Sequence, residues 1–263
     1  MKNKNYSRKC PQCGKDLFYS SNTSYNYGIR KNCLCRSCAT KVYAKRIGDA
    51  SFLLDESNES FYWIGFILAD GSINKGVRLT ITLSRKDKTH LEKLAKRLNI
   101  KTNDTEDVLN GNTYYQTTIS IMHTDIFSKL TKKFMINQNK TINPPNSSVF
   151  EQLSNEELLS IFIGFIDGDG SIFKQYKRQD SRISIQIHSS WLNLLLYFNN
   201  RLNLNGKVSI NKSGYALLQI SDFVSCKLIK EKMLLLNIPF LKRKWDNIDL
   251  NFYGKSNQKI ALL

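Results

Sequence analysis

Two runs along this chain are apolar on nearly every side of a helix: Trp63-Ile64-Gly65-Phe66-Ile67-Leu68-Ala69-Asp70-Gly71 and Phe162-Ile163-Gly164-Phe165-Ile166-Asp167-Gly168-Asp169-Gly170. A helix without a polar face is a buried one. Gly65 and Ala69 share one face at i, i+4 spacing, as do Gly164 and Gly168, so two backbones can approach closely there. Packed on each other, the copies bring Asp70 and Asp169 side by side at the same end of the pair. An anion in the last turn opposes the helix macrodipole at about 0.3–1 kcal/mol, and adjacent carboxylates repel. A divalent cation held between them would neutralise both.

The pattern downstream repeats too, with Asp70 and Asp169 separated by 99 positions. Strict alternation in Val77–Ser84 and in Arg182–His188 predicts half-buried strands. Each is followed by a helical pattern, near Lys88–Leu98 and Trp191–Leu202. Hairpins then turn at Asn110-Gly111-Asn112 and Lys212-Ser213-Gly214, and amphipathic helices close the halves near Asp125–Phe134 and Asp222–Leu236. The order α-β-β-α-β-β-α in each half predicts an α+β fold of tandem repeats. Asn143-Pro144-Pro145-Asn146-Ser147-Ser148 punctuates the two.

Within the strands, polar residues recur at period two: Arg78, Thr80, Thr82 and Ser84, then Arg182, Ser184, Gln186 and His188. Gln116, Thr118, Ser120, Gln219 and Ser221 continue the pattern in the second hairpins. One face of each sheet therefore packs on helices, and the other is free for solvent or a ligand. Its side chains can donate to base edges and phosphates. Arg85 and Lys174 at the strand ends belong to the same candidate surface.

Charge sharpens that choice. Thirty-nine Lys and Arg against 22 Asp and Glu leave +17, which favours a polyanionic partner, nucleic acid first and an anionic membrane surface second. Membrane residence is not expected: Leu158–Ile166 is interrupted by Ser160 and stopped by Asp167, well short of the roughly 20 residues of a span. The first six residues lack the apolar core of a signal peptide. A cytoplasmic location, or whichever reducing compartment holds the host DNA, follows, and thiols there are metal ligands more often than disulfides.

Five of the six cysteines cluster near the N-terminus, as Cys10-Pro-Gln-Cys13 and Cys33-Leu-Cys35-Arg-Ser-Cys38. Two C-x2-C knuckles around a polar, Tyr-rich, hairpin-like stretch predict one tetrahedral structural zinc on Cys10, Cys13, Cys35 and Cys38, with Cys33 the alternative to Cys35. So small a module depends on its metal for folding energy. Cys226, alone on an apolar helix, reads as a core residue. Residues 39–57, with Lys41, Lys45 and Arg46, read as a basic connector. The expected division is 1–50, zinc-ribbon-like module and linker; 51–146, first repeat; 147–263, second repeat.

The paired nonapeptides, the repeated element order and the basic balance together resemble the LAGLIDADG homing endonucleases, in their monomeric two-repeat form, over about residues 58–250. That resemblance implies pseudo-symmetric αββαββα repeats, a saddle of two antiparallel sheets set on a long, partly degenerate double-stranded DNA site, and a nuclease of the kind that serves intron homing. It implies two or three Mg2+ ions on Asp70 and Asp169, with Ala69 and Gly168 beside them in the metal set. The first copy has Leu68 where the second has Asp167, which makes the halves inequivalent. It further implies a basic residue per half facing the scissile phosphate: Lys140, and in the second half Lys242 or, alternatively, Lys244. Gln186 and Ser84 fall where members of the family contact DNA or position the attacking water. Competing readings on the same scaffold are an intron RNA maturase and a non-catalytic DNA-binding regulator. Retention of both aspartates disfavours the maturase, and the regulator predicts no metal-dependent cutting of a bound site.

Overall fold

Serine caps start the two motif helices. In the computed structural model, Ser57 accepts from the Ser60 N–H at 3.1 Å at the head of the first motif helix, α2 (Asn58–Asp70), and Ser154 forms a capping box with Glu157 at the head of the second, α5 (Asn155–Asp169). The structure describes residues 6–39, 48–74, 77–109, 111–136, 138–174 and 181–251. The expected basic connector residues Lys41, Lys45 and Arg46 and the turn residue Asn110 lie outside them. The chain forms two compact units, Met1–Gly48 and Asp49–Leu263.

In the first unit, β1 (Tyr6–Lys9) and β2 (Asp16–Tyr19) pair antiparallel, and α1 (Asn22–Arg30) follows. The Tyr-rich stretch expected to be hairpin-like is thus largely helical: Ser21 caps it by accepting from the Ser24 N–H, and Tyr25 packs on Tyr6 and Tyr19.

The second unit carries the repeat. Its first half runs α2 (Asn58–Asp70), β3 (Gly71–Asn74), β4 (Arg78–Ser84), α3 (Lys88–Arg97), β5 (Asn103–Leu109), β6 (Asn112–Met122) and α4 (Thr124–Phe134). The other half runs α5 (Asn155–Asp169), β7 (Gly170–Lys174), β8 (Ser181–His188), α6 (Leu192–Arg201), β9 (Lys207–Ile210), β10 (Tyr215–Ile220) and α7 (Phe223–Leu235), followed by a short α8 (Lys242–Trp245). Two four-stranded antiparallel sheets result, in the orders β3-β4-β6-β5 and β7-β8-β10-β9. The expected order of elements is present in both halves.

Burial explains the layering. Every residue of α2 from Ser60 to Ala69 and of α5 from Leu158 to Asp167 is buried, so these two helices fill the core. The strands alternate as expected, with Leu79, Ile81, Ile183, Ile185, Ile119 and Leu218 inward. Hairpin turns use glycine in the left-handed region at Gly111 (φ +77°) and Gly214 (φ +79°). Cys226 is fully buried, as expected. Among the described residues, no helix is long and apolar enough to cross a membrane.

Candidate active site and metal centre

The motif helices α2 and α5 touch backbone to backbone. A Cβ placed on Gly65 would lie 1.9 Å from the Ile161 carbonyl oxygen, and one on Gly164 would lie 2.0 Å from that of Tyr62. Nothing larger than glycine fits. At the lower end, a Cβ on Gly168 would meet Ala69 Cβ at 2.2 Å and Asp70 Oδ2 at 3.4 Å. The small-residue stripes thus set the interhelical spacing, and the last turns converge on Asp70 and Asp169.

Each of these carboxyl groups is reachable by solvent yet hemmed in on the protein side. Asp70 is pushed up to about 6, first by partial loss of water and then by the charge of Asp169, with Lys244 and Lys140 pulling it back. Asp169 is raised by the same desolvation, with Lys140 and then Lys244 opposing. The two acids therefore share one electrostatic environment, short of positive charge. Among the described residues neither carboxylate has a hydrogen bond or an ion pair within 4 Å. An oxygen-ligated divalent cation suits such a pair of open carboxylates.

Each helix end is capped by a lysine. Lys140 Nζ donates to the Ala69 carbonyl oxygen at 2.5 Å. Lys244 Nζ donates to the carbonyl oxygens of Ile166, Asp167, Gly168 and Gly170, at 3.0, 2.6, 3.0 and 2.6 Å. Burial lowers the pKa of both, and the nearby acids oppose it. Two expectations change here. Lys242 does not reach the seam: its side chain is 80% exposed and pairs with Asp246 at 2.7 Å, whereas Lys244 is the counterpart of Lys140. Ala69 and Gly168, expected in the metal set, turn their carbonyl oxygens to these lysines instead.

Sequence reasoning passed over the ties around this site. Asp167 is 1% exposed and accepts three hydrogen bonds, from Tyr62, Leu241 N–H and Trp245 Nε1. Arg243 grips the buried Asp87 with two parallel bonds, Nε to Oδ1 at 2.5 Å and Nη2 to Oδ2 at 2.6 Å. The departure of Leu68 from Asp167 between the copies was the available signal for the first. Nothing local signalled the second.

The polar strand faces are in register. Arg78 stands opposite Met122, Thr80 opposite Ser120, Thr82 opposite Thr118 and Ser84 opposite Gln116. Across the other sheet Ser184 faces Gln219. β7 starts with Gly170 opposite Ile185, directly after Asp169 ends α5, and Gln186 follows Ile185 on β8. In the first sheet Gly71 likewise stands opposite Ile81, directly after Asp70 ends α2. Several expected contact residues have local partners. Arg85 lies over the Tyr115 ring and 3.4 Å from Asp104. Arg182 lies 6.0 Å over Phe173, which precedes Lys174 on β7. His188 uses Nδ1 to accept from the Ser190 N–H. β5 brings an acid, Asp107, opposite Tyr114 to the same face.

In the first unit the sulfurs of Cys10, Cys13, Cys35 and Cys38 all lie within 4.8 Å of one another. Cys13 and Cys35 Sγ are 3.6 Å apart, close to the ~3.8 Å edge of a tetrahedron with Zn–S bonds of about 2.3 Å. Backbone N–H groups of Cys35 and Cys38 donate to Cys10 and Cys35 Sγ at 3.2 and 3.3 Å. The Cys35 N–H is the main cause that lowers the Cys10 thiol to about 6. Cys38 is pushed up to about 12, chiefly by Cys13 and Cys35. Four thiolates cannot share that volume without a cation, so the donor set fits zinc. Cys33 lies outside the cluster, and its carbonyl oxygen accepts from Arg8.

No protein-family model and no curated protein matches the sequence. Solved structures do. The homing endonuclease I-WcaI bound to its DNA recognition sequence is 21% identical, with 72% of this chain and 86% of that chain covered and a TM-score of 0.55. The meganuclease I-SmaMI bound to uncleaveable DNA is 15% identical, covering 77% and 88% with a TM-score of 0.47. The LAGLIDADG meganuclease I-AabMI bound to uncleaved DNA is 16% identical, covering 71% and 87% with a TM-score of 0.46. At these identities the likeness is one of fold, and it rests on the first of the three. With two motif helices packed through glycine and two four-stranded sheets in matching order, the second unit of this chain has the LAGLIDADG homing endonuclease fold in its single-chain, two-repeat form.

Proposed function

We propose that this protein is a site-specific double-strand DNA endonuclease of the homing type, acting as a monomer. The observation that carries this reading is the convergence of Asp70 and Asp169 at the end of a seam between two repeats, both open to solvent and without a counter-ion partner. A pseudo-symmetric seam offers each strand of a duplex its own half of one site, so a single chain can cut both. The domain reading that goes with it is a zinc-ribbon-like module and linker at 1–50, and repeats at 51–146 and 147–263.

In this reading Asp70 and Asp169 would hold Mg2+, a cation that favours carboxylate oxygens. A divalent ion held there would supply Lewis-acid stabilisation of charge on the scissile phosphate and a more acidic water. The protein's own groups do the rest. Lys140 and Lys244 supply positive charge beside the developing negative charge on phosphorus. Gln186, on the polar face of β8, holds the attacking water in line, and Thr82 on β4 belongs to the face that binds the duplex. The strand faces with Arg78, Thr80, Ser84, Arg85, Gln116, Thr118, Lys174, Arg182, Ser184, His188 and Gln219 bind the duplex. The Cys10, Cys13, Cys35, Cys38 module holds zinc and lengthens the footprint on DNA.

The test is selection of cleaved sites from a randomised DNA library, in Mg2+ and in EDTA, followed by cleavage of the recovered site. Asp70→Asn and Asp169→Asn are expected to abolish double-strand cleavage while leaving specific binding in place. Full cutting of both strands by either variant, or cutting by the wild type in EDTA, overturns the assignment.

A further inference from the structure

Asp167 has no part in the cleavage reading above, yet it is the most heavily bonded buried acid among the described residues of the second unit. Tyr62 Oη donates to its Oδ2 at 2.9 Å, Leu241 N–H to the same oxygen at 2.8 Å, and Trp245 Nε1 to Oδ1 at 2.8 Å. Tyr62 belongs to α2, in the other repeat, and its oxygen also meets His90 Nε2 at 2.7 Å. Since the hydroxyl proton goes to Asp167, His90 carries its own proton on Nε2. His90 Nδ1 is buried without a partner, and burial lowers the imidazole to about 3, so it is neutral. The result is a directed chain, His90 to Tyr62 to Asp167, that crosses the seam between repeats.

The other two donors bracket Lys244. Leu241 begins the turn that carries this lysine, and Trp245 follows it directly. With both held on one carboxylate, Lys244 Nζ lies fixed among four carbonyl oxygens at the end of α5. Among the described residues the first repeat has no such tether. Its position 99 residues earlier is Leu68, buried and apolar. Lys140 there reaches one carbonyl, that of Ala69, and is only half-buried.

We propose that Asp167 is a positioning residue that acts through Lys244, and that Tyr62 completes it from across the seam. This rests on the endonuclease reading. Lys244 is locked by its surroundings, while Lys140 keeps freedom to adjust. The two half-sites therefore differ: cleavage of the strand served by Lys244 depends on Asp167, and cleavage of the strand served by Lys140 does not.

The experiment measures nicking of each strand separately on an end-labelled duplex carrying the selected site, for the full chain and the variants Asp167→Asn, Tyr62→Phe and Lys244→Met. Asp167→Asn is expected to slow one strand by about tenfold or more, with the other within about twofold. Lys244→Met should slow the same strand, and Tyr62→Phe should shift the strand ratio in the same direction by less. Equal slowing of both strands, no slowing, or slowing of the strand that Lys244→Met spares overturns the proposal. Should Asp167→Asn fail to fold, Tyr62→Phe carries the strand-ratio test alone. Amide hydrogen exchange across 241–245 provides an arm that does not depend on cleavage. Asp167→Asn should speed exchange there about tenfold while leaving the middle of α2 unchanged. If the wild type cuts no DNA, the endonuclease reading fails by itself, and unchanged exchange across 241–245 overturns the tether independently.

Discussion

Replacing Gly164 with alanine tests the helix contact on which the paired acids depend. A Cβ there would sit 2.0 Å from the Tyr62 carbonyl oxygen, 2.8 Å from Phe66 N and 3.0 Å from the Tyr62 carbonyl carbon. All three are main-chain atoms of a buried helix, so no side chain can swing aside to make room. Restoring ordinary contact requires the two backbones to part by more than an ångström at the centre of the core. Overpacking of this kind costs about 1–3 kcal/mol, and a collision with main chain belongs at the upper end. Against it stands the helix propensity of alanine over glycine, worth about 1 kcal/mol. The net is a loss of about 2 kcal/mol, in the opposite direction to the same change on an exposed helix. For a unit of this size that lowers Tm by about 4–8 °C. Urea unfolding followed by tryptophan fluorescence, with Trp63, Trp191 and Trp245 buried in this unit, gives the midpoint. A midpoint equal to or above that of the wild type would refute the close-packing argument, and with it the claim that glycine sets the spacing of Asp70 and Asp169. Gly65→Ala, with its Cβ 1.9 Å from the Ile161 oxygen, should behave alike.

Two further outcomes follow from the electrostatics and the sulfur cluster. The Asp70 carboxyl titrates at about 6 when folded against 3.8 as an isolated group, so the folded state binds that proton more tightly, and stability falls as pH rises from about 4 through 6. Asp70→Asn should therefore stabilise the metal-free protein by about 1 kcal/mol at pH 7.5, after discounting for solvent around an open carboxylate, and by almost nothing at pH 4. Equal effects at both pH values, in urea titrations with EDTA, would contradict the shared-charge argument. Mass spectrometry under native conditions should find one zinc per chain, lost in Cys38→Ser. Stripping it should speed amide exchange across 6–39 while exchange in α2 and α5 stays slow; protection of 6–39 without metal would show that the module folds on its core alone.

Much of this molecule was written in local patterns. Strand alternation of period two, helix runs of period near four and the 99-residue repeat each reflect which residues of a segment meet the core, and each appeared in the expected place. Gly65 and Gly164 were legible for the same reason: a glycine on the shared face of an apolar helix has few uses besides close approach. The Tyr-rich segment misled because its aromatic residues favour strands, whereas Ser21 starts a helix and Tyr25 packs inside the module.

Lys242 and Lys244 were both legible as candidates for the basic residue of the second half, but the choice between them was not. Matching Ile136…Lys140 with Ile238…Lys242 compares positions along the chain, but α8 intervenes, and two residues along a helix turn the side chain by about 200°. Lys242 therefore points to solvent and Lys244 to the seam. Asp167 shows the same limit, since its donors come from positions 62, 241 and 245, and no pattern in the chain foretells such a meeting. What the sequence determined by itself is which segments are helix or strand, which faces they bury, and that two acids end paired helices. Which lysine reaches the seam, which carbonyls it occupies, and which acid ties the repeats together were decided only by tertiary packing. Those contacts join groups remote in sequence, where direction and distance in space, rather than periodicity along the chain, set who can bond to whom.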